Sequence, residues 1–431
     1  MSKADLIACL ELLRDEINAL LTELPTLSLE SVAATPPPTG PVLEQEQAPE
    51  FRSISHELHH ILSKADRQAE GIFFTPKKQR DRLFEVLETH KIRPSTVLEP
   101  SFGSGEFLYD VQERWSTATC VGVEFNKTIF NKFKAPPRCS VVNADFLTYK
   151  SEPAYDLILG NPPYFVVKEK DPACMTGRGN IFVQFIYKCL VQHLKPDGIL
   201  AFILPTSFYN CSYYEPCRNY ILKNTTVLYV ENMDGGFYDT AQDTMLLVIK
   251  NTALPPSAQK PFFVLHGGSA TITPKADAIN TLLRGSTSLA DLGLSVKTGE
   301  VVWNQHKEKL HDKTGTLVVY SSNIVKNKLA LNNLKGEKKQ YICGFTRPPV
   351  EGPALCVNRG YGNKFILSYV RIDAGVKFYG ENHINVVTGP AAAIDRLEKS
   401  FTDPRTSAFI RDFVGNGALS KTELEILLPV F

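Results

Sequence analysis

Tyr155-Asp-Leu-Ile-Leu-Gly160 runs straight into Asn161-Pro-Pro-Tyr164, and this decamer decides the fold. The apolar hexapeptide, closed by a proline turn, reads as a buried strand of the kind found in parallel sheets covered by helices. In open α/β sheets ligands bind in the crevice beyond the carboxyl ends of the strands. The turn at that end is chemically specific. The Asn161 oxygen and the Pro162 carbonyl are acceptors that together can take both hydrogens of an exocyclic NH2. The Tyr164 ring can lie against a flat heterocycle, and Pro162 and Pro163 fix φ, so the turn is stiff before a substrate arrives. By itself the tetrapeptide would also serve as an ordinary strand-to-loop turn, so its neighbours carry the argument.

Upstream, Ser95-Thr-Val-Leu-Glu-Pro100 leads into Ser101-Phe-Gly-Ser-Gly-Glu-Phe-Leu108, a strand, a glycine turn and the start of a helix. Gly103 and Gly105 would let the backbone approach a ligand at the first β-α crossover. The next strand, Cys120-Val-Gly-Val-Glu124, ends in an acid about 20 residues beyond the glycines, where a carboxylate meets ribose hydroxyls in dinucleotide folds. A third strand, Ser140-Val-Val-Asn-Ala144, ends in Asp145-Phe146, an acceptor for the amino group of an adenine and a ring for its face. All four features stand at strand ends, in one order and at β-α spacing. That agreement across levels is what one nucleoside-binding sheet requires.

These residues resemble the S-adenosylmethionine-dependent amino-methyltransferases that act on adenine N6 in DNA. The order of parts is similar to that of the gamma class, and the length and layout to its type II, TaqI-methyltransferase-like members. The resemblance is detailed over roughly residues 70 to 250 and continues beyond them only as layout. It takes in Gly71-Ile-Phe-Phe-Thr-Pro76 with an apparent helix from Lys77, Arg178 to Phe185, Leu194 to Leu200 with a strand to Pro205, Phe237-Tyr-Asp-Thr240, and Thr244 to Ile249. It implies a Rossmann-like domain with a mostly parallel seven-stranded sheet, followed by a smaller C-terminal α+β target-recognition domain. It also implies S-adenosyl-L-methionine as cofactor, held by Thr75, Glu99, Pro100, Ser101, Gly103, Gly105, Glu124, Asp145, Phe146 and Asn161. The catalytic residues would be Asn161, Pro162, Pro163 and Tyr164.

The chemistry implied is direct. Adenine N6 is a poor nucleophile because its lone pair is delocalised into the ring, whereas two acceptors on its hydrogens favour a tetrahedral nitrogen whose lone pair can point at a sulfonium methyl. Transfer then rests on positioning and charge placement, with no metal and no covalent intermediate. The target base has to leave the duplex and be held by stacking. Tyr164 is one platform, and the resemblance sets a second aromatic after the Pro205 strand, at Tyr214 with Tyr213 beside it.

Three other patterns compete. His56-Glu57-Leu58-His59-His60 satisfies H-E-x-x-H, yet no third zinc ligand follows at an interpretable spacing. Pro216-Cys217 with Glu231-Asn232-Met233 is faintly similar to elements of cytosine C5 methyltransferases, whose Cys attacks the ring covalently, but the order is wrong. Asn-Pro-Pro-Tyr also serves enzymes that methylate a glutamine amide in translation release factors, so a protein or RNA substrate, or a binding module with a dead site, stays open on the motif alone. Cytosine N4 is chemically close to adenine N6, but its enzymes usually carry Ser where this chain has Asn161.

The rest of the chain weighs toward DNA. Roughly 180 residues follow Ile249, more than a release-factor enzyme would need. Residues 307 to 377 hold 13 Lys or Arg against 5 Asp or Glu, a balance of +8 in a chain whose whole charge is only +1. Lys326, Lys328, Lys335, Lys338 and Lys339 are the expected phosphate-facing residues, although solvated lysine loops read the same way. At 431 residues, 43% hydrophobic and 22% charged, the chain has length for two domains: 53–265 for catalysis and 266–431 for target recognition. It carries no 18-residue apolar stretch and no signal-peptide pattern, which predicts an intracellular protein without a membrane partner. Nine cysteines, none in a C-x-x-C pair, fit reduced thiols. No nuclease motif stands out, so a methyltransferase without a fused endonuclease is the simpler reading, with a cognate restriction endonuclease as a possible partner.

Leu6, Leu10, Leu13, Ile17, Leu20 and Leu24 step as the seam of an amphipathic helix over 1–25, which would pair two chains into a homodimer or dock on its own domain. Residues 1–60 carry 3 basic and 10 acidic side chains, a charge of −7 unsuited to DNA. A proline-rich linker is expected over 26–52.

Overall fold

The computed structural model describes residues 50–431, apart from 152–154, 234–242, 256–257, 259, 267, 361–365, 414–418, 420 and 422. The expected N-terminal helix, most of the linker and Phe237-Tyr-Asp-Thr240 lie outside the described residues. Glu50, Phe51 and Arg52, expected in the linker, belong to the folded body. Phe51 is buried, the Arg52 amide donates to Glu106 Oε1 at 2.8 Å, and the Glu50 carbonyl accepts from Lys77 N.

Seven strands form the central sheet: β1 Thr96–Glu99, β2 Thr119–Glu124, β3 Cys139–Asn143, β4 Tyr155–Gly160, β5 Leu194–Pro205, β6 Thr226–Met233 and β7 Thr244–Lys250. Their order is β3-β2-β1-β4-β5-β7-β6. The pairings from β3 through β5 are parallel, and β7 runs antiparallel to both β5 and β6. The sheet is mostly parallel, as the resemblance implies. Chain order reverses between β1 and β4, and it is at such a switch point that a crevice opens.

The apolar runs are continuous because both faces are covered. Leu157, Leu159, Ile199, Ala201 and Ile203 pack into one core, while Ile158, Leu200, Phe202 and Leu204 pack into the other. Helix α1 (Ser53–Ile61) and α2 (Lys64–Glu70) precede the sheet. They are followed by α3 (Lys77–Thr89), α4 (Glu106–Arg114) after β1, α5 (Lys127–Lys132) after β2, α6 (Ile181–Lys188) before β5 and α7 (Glu215–Asn224) before β6.

After the sheet comes a hairpin, β8 (Phe263–His266) with β9 (Ser269–Ile272). The expected domain boundary at 265/266 therefore cuts through β8. Phe263 and Ile272 are buried in the same core as β4 and β5, whereas Val264, between them on the other face, joins the C-terminal core. Alternation along a strand sends neighbouring side chains to opposite faces, so one hairpin serves two cores. Beyond it, a four-stranded antiparallel sheet (Ser295–Thr298, Ile384–Thr388, Ala354–Asn358, Tyr369–Ile372) packs on helices Ala391–Phe401 and Pro404–Phe413, and a five-stranded sheet of short strands lies alongside in sequence.

Candidate active site

A cavity of about 250 Å³ opens at the carboxyl ends of β1, β2 and β4. Pro100, Ser101 and Gly103 wall it on one side, Glu124 and Asp145 with Phe146 on the next, Asn161 and Pro163 on the third, and Gly71 to Phe74 close it. Four stretches distant in sequence thus converge, because each strand of a parallel sheet delivers its carboxyl end to the same edge.

Glu124 is 7% exposed and both of its oxygens are engaged. Oε2 accepts from the Gly103 amide at 2.9 Å and Oε1 from the Asn126 amide at 2.7 Å. The glycine turn and the strand-end acid therefore hold each other in place. Burial pushes the Glu124 carboxyl up to about 7, against the pull of the Asn126 and Gly103 amides. Glu99 lies under the wall, fully buried, with Oε2 lacking a hydrogen-bond partner. Burial raises it well above the usual carboxylate range, Asp110 adds to this, and Arg80 opposes it. Asp145 caps its own turn, Oδ1 accepting from Leu147 N at 2.9 Å. Phe146 presents its ring to the cavity and packs on Phe185, with centroids 4.9 Å apart.

The Asn161 amide is held at both ends. Its Nδ2 donates to the Phe73 carbonyl at 3.1 Å and to Thr75 Oγ1 at 3.2 Å, and its Oδ1 accepts from the Tyr164 hydroxyl. The same hydroxyl reaches the Ile203 carbonyl on β5 at 2.8 Å. One proton serves only one of these acceptors at a time. Pro162 and Tyr164 are buried and do not line the cavity. The Tyr164 ring lies parallel to Phe73 (6.4 Å, 29°) and edge-on to Phe182 (6.0 Å). In the structure, Phe73 covers the ring where the sequence reading expects a base.

Several expected residues stand elsewhere. Gly105 faces away from the cavity: its φ is +75°, and a Cβ there would lie 2.0 Å from the Phe133 ring, so glycine is required for packing. Thr75 reaches Asn161 rather than the cavity wall. Tyr214 is not at the cavity either; its ring is buried against Phe208 (6.4 Å) and Phe182 (5.3 Å), because its helix turn inserts into the core. Tyr213 is the exposed one of the pair, seated over Gly177. Lys338 also departs from expectation: its ammonium lies 3.6 Å from the buried Glu381 and over the rings of Trp303 and Tyr320. Lys339 lies 3.9 Å from Asp312. Lys326, Lys328 and Lys335 are exposed and have no ion pair among the described residues. The sequence reading missed Phe125, 68% exposed at the cavity lip; its signal was its place directly after the strand-end acid. Among the described residues no three His, Cys, Asp or Glu side chains gather to hold a metal, and Glu57 of the H-E-x-x-H run pairs with Lys132.

Residues 114–236 match the Eco57I restriction-modification methylase family. The chain is 30% identical over 390 residues to the type II methyltransferase M.CvrRI of Paramecium bursaria Chlorella virus XZ-6E, covering 88% of this chain and 99% of that protein. The chain belongs to the type II restriction-modification methyltransferases. It is likewise 32% identical over 396 residues to the modification methylase CviBIII of Paramecium bursaria Chlorella virus NC1A, covering 89% of this chain and 99% of that one. A shorter match, 31% over 154 residues, is with the type II methyltransferase M.TthHB8I of Thermus thermophilus, over 31% of this chain and 35% of the relative. The solved type IIG restriction endonuclease BpuSI superposes with a TM-score of 0.40 at 11% identity, over 85% of this chain and 60% of that one. As a type II restriction-modification methyltransferase the enzyme acts on DNA, and a release-factor glutamine is set aside.

Proposed function

We propose that this DNA methyltransferase transfers its methyl group to adenine N6 of an extruded base. The observation that carries the reading is the orientation of the Asn161 amide. The Phe73 carbonyl can only accept, so the amide nitrogen must face it, and Oδ1 is left as an acceptor with a lone pair beyond the one used by Tyr164. That oxygen and the Pro162 carbonyl together take the two hydrogens of the target amine.

The cofactor is S-adenosylmethionine, which when bound supplies an electrophilic methyl on a sulfonium sulfur. The residues present fit it. Glu99 offers a buried acceptor without a partner, suited to the ammonium end. Glu124 offers a carboxylate for ribose hydroxyls, and Asp145, Phe146 and Phe125 surround the remaining wall as an acceptor and two rings. Asn161 removes no proton; it orients the amine toward the methyl group. A base inside a duplex cannot reach this depth, so extrusion precedes transfer. For the base to stack on Tyr164, Phe73 has to give way or sandwich it.

DNA phosphates are met by Lys326, Lys328 and Lys335, which are exposed and have no ion pair among the described residues, while Lys338 is a packing residue. The test is incubation of the full chain with tritiated S-adenosylmethionine and unmethylated genomic DNA, followed by nucleoside analysis. N6-methyladenine is expected. N4-methylcytosine, or no label in DNA with cofactor binding intact, would overturn the assignment.

A further inference from the structure

We infer that Lys188, at the end of α6, is a positioning residue for the cofactor's adenine: it holds from behind the turn that carries Asp145 and Phe146. This rests on the reading that Asp145 accepts from the amino group of that adenine. Ile181, Phe185 and Lys188, spaced by four and then three, share one face of α6. The first two line the cavity. Lys188, only 8% exposed, is the polar exception among the buried residues of the helix, and burying such a group is costly unless its donors are used. Here they are used. Its Nζ donates to the Leu147 carbonyl at 2.8 Å and to the Tyr149 carbonyl at 2.6 Å. Both partners can only accept, so the lysine is the donor in each bond. It also stands 5.4 Å from the centre of the Phe146 ring, within reach of a cation–π contact.

The turn links the lysine to the cavity. Asp145 Oδ1 accepts from Leu147 N at 2.9 Å, and the Asp145 carbonyl accepts from Thr148 N at 3.0 Å and Tyr149 N at 2.9 Å. The amides that orient Asp145 thus include those of Leu147 and Tyr149, the two residues whose carbonyls the lysine holds. With Oδ1 taken, Oδ2 is the carboxylate oxygen left for an amino group. The lysine also acts through space: burial pushes its ammonium down and Asp145 opposes this, so the same attraction favours the ionised, acceptor-only form of Asp145. Lys188 forms no ion pair among the described residues and does not line the cavity, so its effect on the cofactor passes through the turn. The neighbouring His193 does not duplicate it. Burial, with Lys188 adding to it, pushes that imidazole down to about 4, leaving it neutral at pH 7, and its ring packs on Phe146 (5.2 Å) and Tyr149 (5.9 Å).

The experiment titrates the full chain by calorimetry with two thioethers: S-adenosylhomocysteine, the product left when the methyl has gone, and S-inosylhomocysteine, in which a carbonyl replaces the adenine amino group. Wild type should bind the adenosyl form about tenfold tighter or more, because a site built to hydrogen-bond an NH2 rejects the analogue lacking it. In Lys188→Met the adenosyl form should weaken about tenfold, the scale of one lost hydrogen bond. The inosyl form should change by less than about twofold, and kcat at saturating cofactor should hold to the same margin. A lysine that only stabilised the domain would weaken both ligands alike, and that outcome overturns the inference. Lys188→Gln, which removes the cation and shortens the stem, should shift the preference the same way and is read in its place if Lys188→Met does not fold. A preference kept whole in the variant that folds overturns the inference and leaves the reading of Asp145 standing. A wild-type chain without any preference would remove the Asp145 reading itself, and the inference with it.

Discussion

Glu124 carries its charge at a cost, and that cost sets a pH dependence. Its carboxyl sits near 7 in the folded chain because burial penalises the anion, against an ordinary value of 4.5. The native state therefore binds more protons than the unfolded chain between those values. The contribution to stability is complete below about pH 4.5 and is lost as pH rises through about 7, an effect of roughly 3 kcal/mol. Cofactor binding runs the other way, because ribose hydroxyls are best met by the ionised, acceptor-only form. Cofactor Kd measured by calorimetry should weaken by up to about tenfold from pH 8 to pH 6, and Glu124→Gln should bind more weakly with a flat profile. A wild-type Kd indifferent to pH would move the ribose from Glu124. Asn161→Ala, by contrast, should abolish transfer while leaving cofactor Kd unchanged; a retained rate would sink its role. At this scale the sequence disclosed residues whose position depends only on strand ends, such as Glu124, Asp145 and Asn161. It could not disclose Phe73 and Thr75 behind the amide, or the burial of Tyr214, because those depend on packing between segments far apart in sequence.

Ile324–Val325 and Lys328–Leu329 pair as a two-residue hairpin whose apex residues, Lys326 and Asn327, both have positive φ. Such turns match the twist of their strands and are stiff. Asn327 Oδ1 accepts from Tyr369 N at 3.2 Å, tying the apex down, and buried Asn323 accepts from Tyr320 N and bonds Gln340 at the base. A stiff hairpin bearing two unpaired lysines and the exposed Val325 would meet a polyanion with little ordering cost of its own. Replacing Lys326 and Lys328 together with Ala should weaken DNA binding at every sequence and lower the slope of log K against log salt by about 1.8. Fluorescence anisotropy across a salt series measures this; an unaltered slope would place the phosphate contacts elsewhere. Lys338→Ala should leave the slope alone and lower the melting temperature, since it strips a cation from buried Glu381. Sequence charge alone treats Lys326 and Lys338 alike. Only pairing separates them, which is why the basic stretch was legible as a stretch and not residue by residue.

The core of the central sheet that holds β4 and β5 and the C-terminal core are joined by more than the connecting segment. Asn210, on the loop after β5, donates to the Phe413 carbonyl at 3.0 Å, and the Ile272 amide donates to the Tyr209 carbonyl at 3.1 Å. Arg218 on α7 is fully buried and reaches both sides, with Nε on the Ala270 carbonyl at 2.6 Å and Nη1 on the carbonyls of Cys211 (2.8 Å) and Phe208 (3.3 Å). Burial pushes its guanidinium down to about 10, still charged at neutral pH, and no carboxylate is bonded to it among the described residues. Composition predicts two domains, but a pattern of apolar residues cannot say that Phe263 and Val264 belong to different cores. The hairpin β8-β9 is where the post-β5 loop, which ends at Tyr213 and Tyr214, is fastened to the C-terminal part. Arg218→Met would keep much of the volume and remove the donors from three buried carbonyls, costing about 3 kcal/mol. The full chain should then melt roughly 3–5 °C lower by calorimetry, with kcat at low temperature reduced less than DNA affinity if the fastening holds the two parts for a common substrate. An unchanged melting temperature would mean that the three carbonyls find water on their own and that the hairpin does not couple the cores.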